Sequence, residues 1–130
     1  MIAFRLDTAS GLPPYLQIVQ QVKHALRLGM LEVGDQLPTV KEVVASLAIN
    51  PNTVLKAYRE LEYEGLTESR PGVGTFVLRT LAGPSLSSHA ALRRDLARWI
   101  RGAQGAGLDS ESIEALFTST FRDLLKEGVA

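Results

Sequence analysis

The run Asn50-Pro51-Asn52-Thr53 carries the most specific chemistry in this chain. An asparagine side chain presents a donor and an acceptor side by side and can pair bidentately with the edge of adenine. A threonine offers a hydroxyl to phosphate or a methyl to thymine. Lys41 precedes this run, and Lys56 and Arg59 follow it, as cations able to reach phosphate oxygens. Short polar groups flanked by a few cations make a set suited to reading a nucleic acid. They do not make a reaction centre. The chain has no cysteine, and its histidines, His24 and His89, lie far apart in sequence. Disulfides, thiolate nucleophiles and Cys-ligated zinc are therefore excluded. No nucleophile motif and no metal-ligand spacing is present, so we expect no enzyme, no catalytic residue, no metal and no cofactor.

These residues need elements to hold them. Asn50 is a strong N-cap, and Pro51 fits the first position of a helix. Val54, Leu55 and Tyr58, with Leu61 and Tyr63, are predicted to be the buried face of that helix, which closes at Gly65. Thr39 with Glu42 has the spacing of a capping box. It opens a shorter helix over residues 39–47, with Val40, Val43, Val44 and Leu47 as its apolar stripe. Two helices joined by the short turn at Ala48-Ile49 have the form of a helix-turn-helix. Before them, Pro13-Pro14 starts a helix that carries Tyr15, Ile18, Val19, Val22, Ala25 and Leu26 and stops at Gly29. Residues 36–38 allow only a very short strand.

Beyond Gly65, residues 66–70 and 75–79 read as two strands around Pro71-Gly72-Val73-Gly74, a hairpin wing. Gly72 and Gly74 permit positive φ and close backbone approach, with Arg70 beside them. The Gly-Val-Gly step has no strand-to-helix context, so it is not a dinucleotide loop. Residues 80–84 read as a linker. A helix over 85–101 carries Leu86, Leu92, Leu96, Trp99 and Ile100, and the Gly/Ala run at 102–107 is expected to break it. A last helix, capped by Asp109 or Ser110, carries Ile113, Leu116, Phe117, Phe121, Leu124 and Leu125. Amphipathic helices must hide such stripes against something. The expectation is a symmetric dimer built on Leu92, Leu96, Trp99, Ile113, Leu116, Phe117, Phe121 and Leu124. The alternative is a monomer whose tail folds back on the winged domain.

The fold class is thus mainly α with a small β-hairpin wing. A winged helix-turn-helix domain spans 1–80, and a linker with a short helical dimerisation domain spans 81–130. The formal net charge is zero, with 14 basic and 14 acidic residues. That weighs against DNA binding, because affinity for the phosphate backbone comes from cations displacing counterions. The distribution matters more. Only Glu42 opposes Lys41, Lys56 and Arg59 between positions 39 and 59, while Glu60, Glu62, Glu64 and Glu68 gather just beyond. No apolar run approaches the roughly 20 residues of a membrane span, and no signal peptide is visible. A cytoplasmic protein without membrane contact is the default expectation.

Leu37-Pro38-Thr39, Lys41, Asn50-Pro51-Asn52-Thr53-Val54, Ala57-Tyr58, Leu61-Glu62, Glu64-Gly65-Leu66 and Gly72-Val73-Gly74-Thr75-Phe76-Val77, in that order and spacing, closely resemble the GntR family of winged-helix regulators. The Asn-Pro-Asn-Thr-Val helix start followed by Lys-Ala-Tyr resembles the YtrA subfamily, as does the short tail. The resemblance covers residues 14–77 by motif and the tail by length and helix count. It implies a cytoplasmic homodimer on a palindromic double-stranded DNA operator, repressing its own operon, which in the subfamily often encodes an ABC transporter. Lys41 stands where the family usually carries an arginine. A lysine is a point charge without the guanidinium fork. Pro51 stands where many relatives carry an arginine, and Leu55 where some carry a basic residue.

The DNA-contact set expected is Thr39, Lys41, Asn50, Asn52, Thr53, Lys56, Arg59, Arg70 and Gly72. The alternative for Asn50 is capping alone, and for Lys56 and Arg59 a solvated surface charge. Thr39 caps and can also offer its hydroxyl to phosphate. In the tail, His89, Arg93, Arg94, Arg98 and Arg101 with Trp99 are either a solvated basic face or a pocket for an anionic small-molecule effector at the dimer interface. The competing reading of the whole chain is a winged helix used for protein–protein contact without specific DNA binding.

Overall fold

A pair of prolines starts the first helix. In a computed structural model described over residues 2–83 and 86–128, leaving aside the side chains of residues 86–88, α1 runs Pro14–Arg27. Its first N–H groups would be unpaired in any case, so Pro14 costs nothing there. Ile18, Val19, Val22, Ala25 and Leu26 turn one face inward. Pro84, Ser85 and the Leu86 side chain, which end the predicted linker and open the predicted tail helix, lie outside the described residues.

The chain divides into two compact units, Met1–Leu86 and Ser87–Ala130. In the first, α2 (Val40–Leu47) and α3 (Pro51–Tyr63) follow α1, and both α1 and α2 pack on α3. Thr39 caps α2 by accepting a hydrogen bond from the Glu42 N–H at 3.1 Å. The other half of the box is altered, since the Glu42 carboxylate accepts a hydrogen bond from the Thr39 hydroxyl. Asn50 caps α3, with its Oδ1 accepting from the Asn52 N–H at 2.8 Å. Between the helices Ala48 holds φ 53°. That left-handed conformation costs a residue with a Cβ about 1 kcal/mol.

Strands β1 (Thr67–Arg70) and β2 (Gly74–Val77) pair antiparallel, with Thr67 opposite Val77 and Arg70 opposite Gly74. The expected short strand at 36–38 is a bridge, Gln36 to Phe76, and the Leu37 N–H donates to the Thr75 carbonyl at 2.9 Å. Phe4, Ile18, Val22, Leu26, Leu37, Val54, Leu61 and Val77 meet in one buried core. The segment before α1 is tied down as well. Gln17 Nε2 donates to the Asp7 and Leu12 carbonyls, and Gln17 Oε1 accepts from the Asp7 N–H.

Two expectations fail in the second unit and in α3. Helix α4 runs Leu86–Gly105, straight through Gly102. One glycine costs a helix roughly 1 kcal/mol, too little to stop it when alanine and glutamine follow. The chain turns at Ala106-Gly107 instead. Helix α5 (Ser110–Gly128) is capped by Asp109, whose carboxylate accepts from the Ser112 N–H at 2.8 Å. The predicted burial of Tyr63 is also wrong, for it is 89% exposed. It lies seven residues after Lys56 and four after Arg59, on the face opposite Val54, Ala57, Tyr58 and Leu61.

Candidate nucleic-acid interface

Helix α3 buries Val54, Ala57, Tyr58 and Leu61. Helical spacing then sends positions 52, 56 and 59 to the opposite side. Asn52, Lys56 and Arg59 are accordingly all exposed, in one row with Tyr63. Thr53 is half-buried, and Asn50 is exposed with its side chain committed to the cap. Among the described residues, neither Lys41, Lys56 nor Arg59 pairs with an acid. The ion pairs among the described residues are Lys23–Glu64 at 2.7 Å, Arg70–Glu68 at 3.4 Å and Arg98–Asp95 at 4.0 Å.

The acidic cluster after Arg59 is largely engaged within the fold. Glu64 holds Lys23, Glu62 accepts from the Ser69 N–H at 3.2 Å, and Glu68 meets Arg70. A zero net charge therefore coexists with a row of unneutralised cations on α3.

The start of α2 is fixed to this helix. The Tyr58 hydroxyl donates to the Pro38 carbonyl, one residue before the Thr39 cap. Burial first, and the Glu42 carboxylate second, push the Tyr58 pKa well above that of a free tyrosine, so it stays a donor. Thr39, half-buried, and Lys41, exposed, follow this tethered carbonyl at the start of α2.

The wing has its own supports. Gly72 (φ 74°) and Gly74 (φ 143°) adopt backbone that disfavours a side chain. A Cβ on Gly74 would also meet the Gln36 amide, which donates to the Val73 carbonyl at 3.2 Å. Arg70 is exposed, and its guanidinium lies 4.4 Å above the Phe76 ring. Sequence reasoning did not pick out Gln36. Its only signal was a place in a strand too short to register as one. It also missed Tyr15, whose ring lies 4.1 Å under the Lys56 ammonium, a contact between two helices that no local pattern reveals.

The second unit brings Leu96, Trp99, Leu116, Phe117, Phe121 and Leu124 around a groove of about 250 Å3 between α4 and α5. Leu92 lies on the same row of α4 and is 62% exposed, and Ile113 is half-buried. Phe117 and Phe121 stack at 5.8 Å. No residue of α5 is buried. The groove wall carries no charged side chain, so an anion would find no partner there. Arg94, Arg98 and Arg101 lie on the opposite face of α4 by helical spacing.

Comparisons with known proteins agree on one group. The model of the family described as "Bacterial regulatory proteins, gntR family" matches residues 14–77. The HTH-type transcriptional repressor YtrA of Bacillus subtilis (strain 168) is 36% identical over 110 residues, covering 84% of this chain and 85% of that protein. Among solved structures, a transcriptional antiterminator from Listeria monocytogenes EGD-e aligns with TM-score 0.58 and 33% identity, covering 94% of this chain and 92% of that one. YtrA from Sulfolobus acidocaldarius, a GntR-family transcription factor, aligns with TM-score 0.55 and 26% identity, covering 92% and 97%. Among the described residues no helix is long and apolar enough to cross a membrane, and no cluster of potential metal ligands occurs.

Proposed function

Because this chain belongs to the gntR family of bacterial regulatory proteins, we propose that it is a homodimeric repressor that sets two winged heads on a palindromic operator, its own promoter included. At the coarser level it is a DNA-binding transcription regulator. The observation that carries the docking mode is the exposed row Asn52, Lys56, Arg59, opposite the buried face of α3 and free of acidic partners among the described residues.

In this reading α3 enters the major groove by its first turn. Asn52 and Thr53 read base edges, and Lys41 adds a point charge at the start of α2. Asn50 serves mainly as the cap. Lys56 and Arg59 lie further along and reach phosphates. Thr39 and the free N–H groups at the helix starts favour phosphate. The wing brings Arg70 and the bare backbone at Gly72 to the minor groove or its phosphates. Residues 1–80 are the DNA-binding domain and residues 81–130 the linker and dimerisation domain.

What supports the dimer is the apolar face that α4 and α5 leave uncovered. Leu92, Leu96, Trp99, Leu116, Phe117, Phe121 and Leu124 are each between 38% and 62% exposed. A continuous apolar face of this kind marks an interface, and a second copy supplies a self-complementary cover. An anionic small-molecule effector is best accommodated along Arg94, Arg98 and Arg101 of α4, since the α4–α5 groove is uncharged.

DNase footprinting on the DNA upstream of the gene tests the proposal. Two protected half-sites about one helical turn apart are expected. Protection of a single half-site would remove the palindrome, and absence of protection would leave a winged helix that binds protein instead.

A further inference from the structure

A protein with no net charge brings no strong field to DNA, so the few cations on its reading face must act efficiently. A free lysine is poorly suited to this, because its four-carbon stem holds much rotamer entropy that binding must remove. Lys56 departs from that picture. Its ammonium lies 4.1 Å from the centroid of the Tyr15 ring, inside the range at which a cation is held by an aromatic face.

The ring itself is well fixed. Tyr15 is the second residue of α1, directly after Pro14, and is half-buried against the core. Helix α1 in turn packs on α3. The wing repeats the arrangement with Arg70 over Phe76, although there Glu68 shares the cation.

We propose that Tyr15 is a positioning residue for DNA binding: its ring seats the Lys56 ammonium before DNA arrives, leaving the ammonium N–H groups directed outward for phosphate. The inference rests on the reading that Lys56 meets phosphate. Tyr15 acts through Lys56 and need not touch DNA.

The test is a double-mutant cycle of Tyr15→Leu and Lys56→Ala, read by fluorescence anisotropy on the protein's own upstream DNA across a salt series. Lys56→Ala, which removes one phosphate contact from each of the two heads, should lower the slope of log K against log salt by about 1.8. Tyr15→Leu, lost from both heads, should weaken binding about five- to thirty-fold at fixed salt, with nearly unchanged slope, since the phosphate contact still forms. In the Lys56→Ala background Tyr15→Leu should cost nothing further. Tyr15→Phe keeps the ring and should bind like the wild type.

An equal loss from Tyr15→Leu in both backgrounds would overturn the seat while leaving the DNA reading intact. So would a loss from Tyr15→Phe, which would make the hydroxyl the contact. A silent Lys56→Ala would overturn the role of Lys56 and the seat together. NMR of the wild type checks the seat without any substitution. The Lys56 ε-methylene protons should be shifted upfield by the ring, and random-coil shifts would refute it.

Discussion

Replacing Phe117 by aspartate should split the protein into monomers. Phe117 is 45% exposed on the open face of α5 and stacks on Phe121. A phenylalanine side chain offers roughly 200 Å2, so a dimer that covers its exposed part removes about 90 Å2 from water. At about 25 cal/mol per Å2 that contributes about 2 kcal/mol per protomer. A two-fold interface uses the residue twice, giving about 4 to 5 kcal/mol, or a thousand-fold or more in the dissociation constant at about 1.4 kcal/mol per decade. A carboxylate at the same place adds the cost of an unpaired buried charge. Sedimentation velocity at micromolar protein should show a dimer for wild type and a monomer for Phe117→Asp, with helical circular dichroism retained in both. A variant that remains dimeric would refute the assigned interface, and a monomeric wild type would refute the dimer itself.

Other consequences can be checked on both units. Leu124→Asp, at 60% exposure on the same face, should behave as Phe117→Asp does in sedimentation. Ala48→Gly relieves the left-handed backbone of the helix-turn-helix bend and should raise stability by up to about 1 kcal/mol in urea unfolding, the relief being partly offset by unfolded-chain entropy. Tyr58→Phe removes the hydrogen bond to Pro38 and should cost about 1 kcal/mol at neutral pH. Its pH dependence runs the other way. The folded protein keeps the Tyr58 proton more tightly than the unfolded chain does, so wild-type stability falls as pH rises above about 10. The Phe variant should lose that part of the alkaline decline in denaturant titrations.

The head of this molecule was largely legible because its boundaries are chemical. Pro14, Thr39, Asn50 and Pro51 mark helix starts through their own backbone needs, and each does so in the structure. The wing was readable from Pro71 and its glycines. What failed was judged from composition rather than from geometry. Gly102 looked like a breaker, yet a single glycine is a small term against a helix that continues on both sides. Tyr63 looked like core because it is aromatic, although its angular position opposes Val54 and Leu61. Ala57 was left out of the expected buried face, yet it is fully buried. The contacts that order the candidate interface, Lys56 on Tyr15, Gln36 beside Gly74 and Tyr58 on Pro38, join residues distant in sequence. No periodicity encodes them.

Sequence-specific binding rests on α3 as the reading helix. Its most direct test is an anisotropy titration of a duplex from the protein's own upstream region with wild type, Asn52→Ala and Lys41→Ala, each beside an unrelated duplex. Wild type should bind its own DNA at least about a thousand-fold more tightly than the unrelated one. Asn52→Ala should lose about 2 to 6 kcal/mol of that preference, about 1 to 3 in each half-site, and Lys41→Ala should weaken binding while melting temperature and dimer stay unchanged. Wild-type affinity from both variants would contradict the docking of α3, and equal affinity for the two duplexes would contradict sequence-specific regulation altogether.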